Sequence, residues 1–398
     1  LPPQAIIVST HLSPPQVLQI GGAIALILEM GGLTSHTAIL AREMGLQVIV
    51  GVPHATQVIQ TGDRLSLRGG NIFRLVSISE SMAGMAEPTG SDAQPSQLAQ
   101  QRPHQNGQRG TQLWVNLNRP DRAEQVAATD IEGVGLVRSE LLLLAETLSE
   151  QELPVGAADL ALRQRWWKCL TPILQAFAPR PVFYRLLDWN LKTGVLGLHG
   201  TQQYLQNPAW FHWELARLLE LQQRGYTNVR LLLPFVRTVE EFQVCRSWIE
   251  QVGLFQQPGF ELWIMAEVPA IVFTLADFIA AGVQGIVIGT GDLSALILGQ
   301  DRESAATLPL SQPAVQAAMG QLIQTAQRHQ LPCHLCLHGL QPDQAVIDRA
   351  IQLGVTGFSV EPDAISAMLT AIARAEQKHH PPMPQGTWNP APNTNFGV

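Results

Sequence analysis

The 398-residue sequence is poor in cysteine, in charged residues and in long apolar runs. Four cysteines are too few for the disulfide framework of a secreted scaffold. The 25 lysines and arginines are outnumbered by 32 aspartates and glutamates, for a net charge of -7 with no basic cluster, so nucleic acid is not expected as a partner. The apolar run at residues 23–28 is far too short to cross a membrane, and no membrane association is expected.

The amino terminus lacks the features of an export signal. Residues 1–4 read Leu-Pro-Pro-Gln, with no positive charge and no evident cleavage site after them, which predicts a cytoplasmic protein. The chain does not begin with methionine, which suits a fragment or a processed form of a longer protein, and the sequence leaves open whether it is one. Hydrophobic residues make up 46% of the sequence, which is enough to bury the cores of two or three domains.

Residue patterning divides the chain into four parts. Residues 1–79 predict a small α/β domain, with buried strands at 5–8, 25–28 and 48–52 and a hairpin formed by 63–67 and 72–76. Residues 80–110 are rich in Ser, Gln, Pro and Gly and predict a flexible linker with a reach of roughly 30 Å, although a passive spacer has the same composition. Residues 378–398, rich in Pro and Asn, predict a disordered tail.

The fourth part, residues 111–377, alternates between strand-like and helical patterns. Eight successive β and α units of this kind predict a (β/α)8 TIM barrel, so the predicted fold class is α/β. The predicted barrel strands cover residues 113–117, 133–137, 182–186, 229–233, 262–266, 285–288, 333–336 and 357–360.

One glycine-rich segment places a histidine at the start of a predicted helix. In residues 31–42, Gly-Gly-Leu-Thr-Ser-His-Thr-Ala-Ile-Leu-Ala-Arg, the glycines allow a tight turn, and Thr34 or Ser35 can cap the helix that follows. His36 then lies in the first helical turn, where the helix dipole and unpaired N–H groups favour an anion. This histidine is either a surface residue near a helix cap or a phosphoryl carrier, and the local pattern leaves both open.

Polar residues follow the predicted barrel strands at the end where TIM-barrel active sites are built. Arginines suit a phosphate group, carboxylates suit Mg²⁺, and a thiol suits proton transfer. Ion pairs in the barrel rim are the alternative explanation for each of them. A redox or zinc half-site in residues 333–336, Cys-His-Leu-Cys, is weakly supported because no second cysteine pair accompanies it. The residues at the strand ends are Arg138, Glu140, Arg185, Asp188, Glu267, Asp292 and Cys336.

Several of these segments resemble motifs of the phosphoenolpyruvate (PEP)-utilising enzymes, the family of PEP synthase, pyruvate phosphate dikinase and enzyme I of the sugar phosphotransferase system. Residues 31–42 resemble the family's phosphohistidine signature, and Leu-Pro-Phe-Val-Arg-Thr at 233–238 is most similar to the PEP synthase version. The other matching segments are Gly-Val-Gly-Leu-Val-Arg-Ser-Glu at 133–140, Met-Ala-Glu-Val-Pro-Ala at 265–270, Ile-Gly-Thr-Gly-Asp-Leu-Ser at 288–294 and Leu-Gly-Gln-Asp-Arg at 298–302. This resemblance implies a small swivelling β/β/α phosphohistidine domain followed by a PEP/pyruvate-binding TIM barrel.

The resemblance also implies an activity, a phosphotransferase that moves a phosphoryl group between a carrier histidine and PEP or pyruvate, with Mg²⁺ as cofactor. It further implies a homodimer, and it leaves open whether the other partner is an upstream nucleotide-binding domain or a phosphoacceptor protein. The implied site residues are His36 as carrier, Cys336 as proton donor, Arg138, Arg185 and Arg302 as phosphate ligands, and Glu267 and Asp292 as metal ligands.

The chain departs from the family pattern near the expected chemistry. Leu33 and His199 stand where the family has arginine, and Gly291 stands where an asparagine precedes the metal-binding aspartate. Ala295 replaces a glutamine, and Leu337-His338 replaces a Gly-Glu or Gly-Gln pair. These departures keep open a catalytically impaired regulatory protein of the same family that binds PEP or pyruvate. A metal-dependent lyase or aldolase barrel would retain the two carboxylates but leave the histidine segment unexplained.

Overall fold

A computed structural model of the chain describes residues 5–12, 14–20, 22–32, 35–68, 71–75, 110–143, 157–188, 199–300, 302, 309–339 and 341–379. The strands in these residues form a small amino-terminal unit and a closed eight-stranded barrel. The predicted fold class, α/β with a small domain ahead of a (β/α)8 barrel, is confirmed.

The amino-terminal unit is built on a parallel sheet with the strand order β1-β2-β3, and β4 and β5 form an antiparallel hairpin. Val17 from α1, Leu26 and Leu28 from β2 and Leu40 from α2 form its core, so the apolar strands and helices bury one another's faces. In chain order its elements are β1 (Ala5–Ser9), α1 (Pro14–Gln19), β2 (Ala23–Leu28), α2 (His36–Glu43), β3 (Gln47–Ile49), α3 (Ala55–Val58), β4 (Arg64–Arg68) and β5 (Asn71–Leu75).

The predicted strands of this unit are found, with differences at their ends. The strand predicted at 48–52 ends at Ile49, because Gly51 adopts a φ of 71° that interrupts the extended backbone. The hairpin is present, but its glycine turn lies outside the described residues, as do the predicted linker up to residue 109 and the predicted tail from residue 380. The last helix continues through Lys378 to His379, where the sequence predicts the start of the tail.

The barrel consists of eight parallel strands that coincide with the predicted spans to within one residue at either end. Their order around the barrel is β10-β11-β12-β13-β6-β7-β8-β9, so the chain runs once around it. The barrel strands are β6 (Gln112–Asn116), β7 (Gly133–Arg138), β8 (Val182–Arg185), β9 (Val229–Leu233), β10 (Leu262–Ala266), β11 (Ile286–Gly289), β12 (Cys333–Cys336) and β13 (Gly357–Val360).

Helices connect these strands and pack against the outside of the barrel. In α9 the Thr238 hydroxyl accepts a hydrogen bond from the Glu241 N–H at 3.3 Å, and the helix ends at Gly253 with a φ of 93°. Among the described residues, no helix combines the length and apolarity needed to cross a membrane. The helices are α4 (Ala123–Ala127), α5 (Ser139–Leu143), α6 (Ala157–Phe177), α7 (Thr201–Gln206), α8 (Pro208–Gln223), α9 (Val239–Val252), α10 (Pro269–Ala280), α11 (Thr290–Leu298), α12 (Pro313–Arg328), α13 (Gln344–Gln352) and α14 (Ile365–His379), with short 3₁₀ turns at Pro120–Arg122, Leu254–Gln256 and Pro362–Ala364.

Alternating side chains of the barrel strands separate an outer core under the helices from an inner core within the barrel. In the inner core His334 lies between Trp114 and Trp263, with ring centroids 4.8 Å away in each case. Burial lowers the pKa of His334 to about 3, so this imidazole is neutral at physiological pH. Cys333 belongs to the outer core and Cys336 to the inner one. Because the two thiols lie on opposite faces of the sheet, they do not form a redox or zinc half-site.

Candidate active site

The histidine of the glycine-rich segment is the first residue of α2. Ser35 is the N-cap, since its backbone is extended (φ −64°, ψ 150°) and its hydroxyl accepts a hydrogen bond from the Ala38 N–H at 3.2 Å. The predicted cap is therefore found at Ser35, while Leu33 and Thr34 lie outside the described residues. His36 occupies the helix position at which unpaired backbone N–H groups favour an anion.

Helix α2 lies beside the carboxyl end of the barrel. Ile39 and Arg42 line a cleft whose opposite wall is the barrel rim. Leu141, from the helix that follows β7, packs against the core of the amino-terminal unit. The helix that begins at His36 therefore borders the end of the barrel that carries the predicted site residues. The rim residues of this cleft are Asn116, Leu117, Asn118, Arg119, Arg122, Gly339, Glu361, Pro362 and Asp363.

Arg138 and Arg185 end the neighbouring strands β7 and β8, where they are partners in the strand register. Both residues are 4% exposed. Arg185 donates a hydrogen bond to the carboxylate of Glu140. Burial disfavours the charged form of Arg185, but the carboxylates of Glu140 and Glu267 outweigh this effect and raise its pKa. The main-chain N–H of Arg138 donates to Oδ1 of Asn118 at 2.5 Å, which fixes the end of its strand.

Glu267 follows β10 and is 1% exposed. Its Oε1 accepts a hydrogen bond at 2.8 Å from the N–H of Phe235, a residue whose φ of 47° is unusual for a non-glycine residue. Its buried Oε2 has no hydrogen-bond partner among the described residues. Burial and the negative charge of Asp292 raise the pKa of Glu267 to about 8. A buried carboxylate oxygen without a donor, close to a second carboxylate, is a setting that a divalent cation satisfies.

The second carboxylate belongs to Asp292, in the first turn of α11, and it accepts a hydrogen bond from Arg302. Within the described ranges, no cluster of three or more His, Cys, Asp or Glu residues is arranged for a metal ion. Mg²⁺ commonly uses one or two protein carboxylates and completes its shell with water and substrate oxygens, so two carboxylates suit it. A Cβ on Gly289 would lie 2.5 Å from Oε2 of Glu267, so this glycine makes room for the carboxylate. Glu267 and Asp292 therefore fit a magnesium site.

The thiol of Cys336, at the end of β12, lies inside the barrel, where it contacts Asn116 of β6, which is itself bound by Ser359 of β13. The Asn116 amide nitrogen lies 3.6 Å from the thiol sulfur, and the Ser359 hydroxyl donates to the Asn116 amide oxygen at 2.6 Å. A Cβ on Gly135 would lie 2.4 Å from the Ser359 hydroxyl oxygen, so the glycine makes room for this chain of contacts. Burial raises the pKa of Cys336 to about 11, so the thiol keeps its proton at neutral pH.

His199, which stands in place of an arginine of the family, has an acidic partner. Its Nδ1 lies 3.3 Å from Oδ1 of Asp188, and its ring stacks on Phe235 with centroids 4.8 Å apart. The Gly200 N–H donates to the same Asp188 oxygen at 2.9 Å. Burial disfavours the imidazolium, but the hydrogen bond and charge of Asp188 outweigh it and raise the pKa of His199.

His338, another departure from the family pattern, forms a second histidine–carboxylate pair. Its Nδ1 lies 2.8 Å from Oε1 of Glu361. Burial lowers the pKa of His338 below its ordinary value. Burial also disfavours the ionised form of Glu361, but the charges of His338 and Arg138 outweigh it, so the pKa of Glu361 lies below its usual range. The pair lies beside the thiol, since Glu361 influences the Cys336 pKa.

The structure brings the predicted barrel residues together at one end of the barrel. The charges of Arg138 and Arg302 both act on the Cys336 thiol, and those of Glu267 and Asp292 both act on Arg185. Sequence reasoning does not single out four further residues of this site. A signal exists for the asparagines, since Asn116 ends an apolar strand and Asn118 lies two residues beyond it, whereas Phe235 contributes a main-chain N–H that no side-chain pattern encodes. The four residues are Asn116, Asn118, Phe235 and Glu361.

Comparison with known proteins covers most of the chain. Residues 1–71 match the family model described as the mobile domain of PEP-utilising enzymes, and residues 92–377 match that of their PEP-binding domain. A probable phosphoenolpyruvate synthase of Staphylothermus marinus is 30% identical, over 94% of this chain and 48% of the relative. The phosphoenolpyruvate synthases of Pyrococcus furiosus and Helicobacter pylori are 27% and 26% identical over 94% of this chain, and over 47% and 50% of their own lengths. The chain thus spans about half the length of these curated relatives.

Proposed function

The chain belongs to the family of PEP-utilising enzymes, and on this premise we propose that it transfers a phosphoryl group between His36 and PEP or pyruvate. The observation that carries the proposal is one barrel rim with phosphate-binding, metal-binding and proton-donating groups, beside the helix that begins at His36. A protein that only binds PEP needs the phosphate ligands alone. A histidine at the start of α2 and a thiol in the same rim therefore favour a protein that moves a phosphoryl group and a proton.

The phosphate of the substrate would lie beside three arginines of the rim. Arg138 and Arg185 are 4% exposed and Arg302 is 9% exposed, so their guanidinium groups are largely shielded from water. Guanidinium groups bind phosphate oxygens in a bidentate manner and keep their charge at any physiological pH. Arg138 and Arg185, buried at the ends of their strands, are in place before the reaction and would neutralise the charge of the moving phosphoryl group without reorganisation.

Glu267 and Asp292 are the residues that would hold Mg²⁺, which the orphaned oxygen of Glu267 supports. When bound, the ion would supply positive charge against the enolate and phosphate oxygens of the substrate. The N–H of Phe235 orients the Glu267 carboxylate by occupying its other oxygen at 2.8 Å. This chain therefore contributes two carboxylates and leaves the remaining positions to water and substrate.

In the direction from PEP, the bond between phosphorus and the enol oxygen breaks, and a bond between phosphorus and a ring nitrogen of His36 forms. The electron pair remains on the enol oxygen and gives the enolate of pyruvate. The thiol of Cys336 then donates its proton to C3 of the enolate, and the resulting thiolate regains a proton from water. With a pKa of about 11, Cys336 is protonated at neutral pH and suited to act as the acid. The Asn116 amide, 3.6 Å from the sulfur, would stabilise the thiolate.

The partners and location of the protein enter as part of the same proposal. Because the curated relatives are about twice as long as this chain, we propose that His36 exchanges its phosphoryl group with a further domain or with a phosphoacceptor protein. We also propose a cytoplasmic location and a homodimer. Light scattering on the purified chain measures the oligomeric state directly.

The test is to incubate the chain with PEP labelled at phosphorus, together with Mg²⁺, and to measure acid-labile, base-stable label on the protein. The wild type should be labelled and His36→Asn should not. His54→Asn is the matched control: His54 lies in the same unit with a φ of 60°, which asparagine tolerates, and this variant should be labelled like the wild type. Absence of label in the wild type, with PEP binding detected by calorimetry, would overturn the transfer activity and leave a binding protein.

A further inference from the structure

Gly291 and Arg302 share one space beside the candidate metal ligands. A Cβ on Gly291 would lie 2.9 Å from Cζ of Arg302, closer than real Cβ atoms approach, and 3.0 Å from its Nε and Nη2, so the guanidinium would have to shift. Gly291 lies inside α11, and its φ is not in the left-handed region that favours glycine. The missing side chain at this position is therefore explained by the room that it gives to the guanidinium of Arg302.

In this position the guanidinium of Arg302 is paired with Asp292, the residue that follows Gly291. Nη1 of Arg302 donates to Oδ2 of Asp292, and the two side chains are 9% and 17% exposed. Glu267, whose pKa is raised by burial and by the charge of Asp292, keeps its Oε2 without a partner in the described part of the chain. The positive charge of Arg302 thus lies against one of the two carboxylates that a divalent cation would need.

We propose that Arg302 competes with the metal ion for Asp292, and that Gly291 is the residue that permits this competition. The inference rests on the proposed function, in which Arg302 is a phosphate ligand. The substrate phosphate offers the guanidinium a bidentate partner away from the carboxylate, which releases Asp292 for the metal. Metal and PEP then bind cooperatively, and each raises the affinity of the other by the same factor. Asparagine, the family's residue at position 291, would occupy the space of the guanidinium and displace Arg302 from its present position beside Asp292.

The test measures binding of Mn²⁺, a spectroscopic probe for the Mg²⁺ site, to the full chain by electron paramagnetic resonance without PEP. Arg302→Ala removes the competing charge, and Gly291→Asn moves it without removing it. Both variants should bind Mn²⁺ about tenfold more tightly than the wild type, with Gly291→Ala between them and the wild type. Gly299→Asn is the matched control, because Gly299 ends the same helix with a φ of 62° and no atom would contact its added Cβ. The control should bind Mn²⁺ like the wild type.

Repeating the titration with PEP tests the release of Asp292. PEP should raise the Mn²⁺ affinity of the wild type by about tenfold and that of Arg302→Ala much less. Equal Mn²⁺ affinity of wild type, Gly291→Asn and Arg302→Ala without PEP would overturn the inference. A higher Mn²⁺ affinity in Arg302→Ala but not in Gly291→Asn would also overturn it. The cause would then be the net charge of the site and not the position of the guanidinium. His36 labelling of the wild type is measured separately, so competition can fail while transfer stands, and the reverse.

Discussion

Three residues at the strand ends and three residues that depart from the family pattern are held in different ways. Arg138, Glu267 and Cys336 match the family, and each makes a hydrogen bond with a neutral amide: the Arg138 main-chain N–H with Asn118, the Glu267 carboxylate with the Phe235 N–H, and the Cys336 thiol with Asn116. These amides belong to the barrel rim, so they form a fixed framework around the site.

Three of the departures lie against charged groups instead. His199 faces Asp188, His338 faces Glu361, and the absence of a side chain at Gly291 leaves room for Arg302 beside Asp292. The site therefore retains a fixed framework for the reaction, while part of its positive charge is conditional, on pH at His199 and on ligand at Arg302.

Glu267→Gln should cause the largest effect, because it removes from the fixed framework one of the two carboxylates that would hold the metal. The amide oxygen can still accept the Phe235 N–H, but the carboxylate for the metal is lost. His36 labelling from PEP in a single turnover should slow by at least about 100-fold, the scale for removal of one preorganised electrostatic group. The thermal unfolding temperature should not fall, since a buried carboxylate is replaced by a neutral group of the same shape.

Glu261→Gln is the matched control for this variant. Glu261 precedes the same strand at its opposite end, where it pairs with Arg230 at 3.1 Å, far along the strand from the rim. Its labelling rate should equal that of the wild type. Normal labelling of Glu267→Gln would contradict the assignment of Glu267 as a metal ligand.

His199→Arg should have an intermediate effect, because it replaces a positive charge that depends on pH with a permanent one. Asp188 and Asp292 favour the imidazolium and Arg237 opposes it, with a net rise in pKa, so the charge is present at acidic pH and is lost as the pH rises through that pKa. The PEP affinity of the wild type should fall over this range. Arginine keeps its charge, so at alkaline pH the variant should bind PEP about tenfold more tightly.

Calorimetry with PEP at a series of pH values measures this difference. The ionisation of PEP changes the affinity of both proteins for PEP. Because arginine does not titrate in this range, the pH profile of His199→Arg reports the ionisation of PEP alone. His329→Arg, which adds the same charge at an exposed position after α12, should keep the wild-type profile. Parallel profiles for the wild type and His199→Arg would show that His199 does not contact the substrate phosphate.

The barrel could be predicted from sequence because its strands are short apolar runs between turn residues, and because a parallel barrel carries its polar site residues where those runs end. Arg138, Glu267 and Cys336 were found in this way. The domain boundaries and the roles of individual site residues stay predictions, to be tested by the variants described here.

What the sequence could not indicate are contacts between residues far apart in the chain. The hydrogen bond from Ser359 to Asn116 joins residues that are 243 positions apart, and the strained φ of Phe235 is a property of the backbone. Gly291 reads as the loss of a polar residue until the position of Arg302 shows what fills its space. Pairing of this kind depends on the closed barrel, and a linear pattern does not encode it.

His338→Gln should have the smallest effect, on stability. Burial lowers the pKa of His338 below its ordinary value of 6.5, so the unfolded chain binds a proton that the folded chain does not. The resulting stability is complete above the unfolded pKa and is lost as the pH falls below it. Glutamine does not titrate and can still donate to Glu361, so on acidification the variant should lose less stability than the wild type, by about 1 kcal/mol or less.

Urea unfolding at several pH values measures this difference in stability. The control is His212→Gln, at an exposed histidine of α8, which should follow the wild type. If His338→Gln and the wild type lost stability equally on acidification, protonation of His338 would not contribute to the pH dependence of the stability.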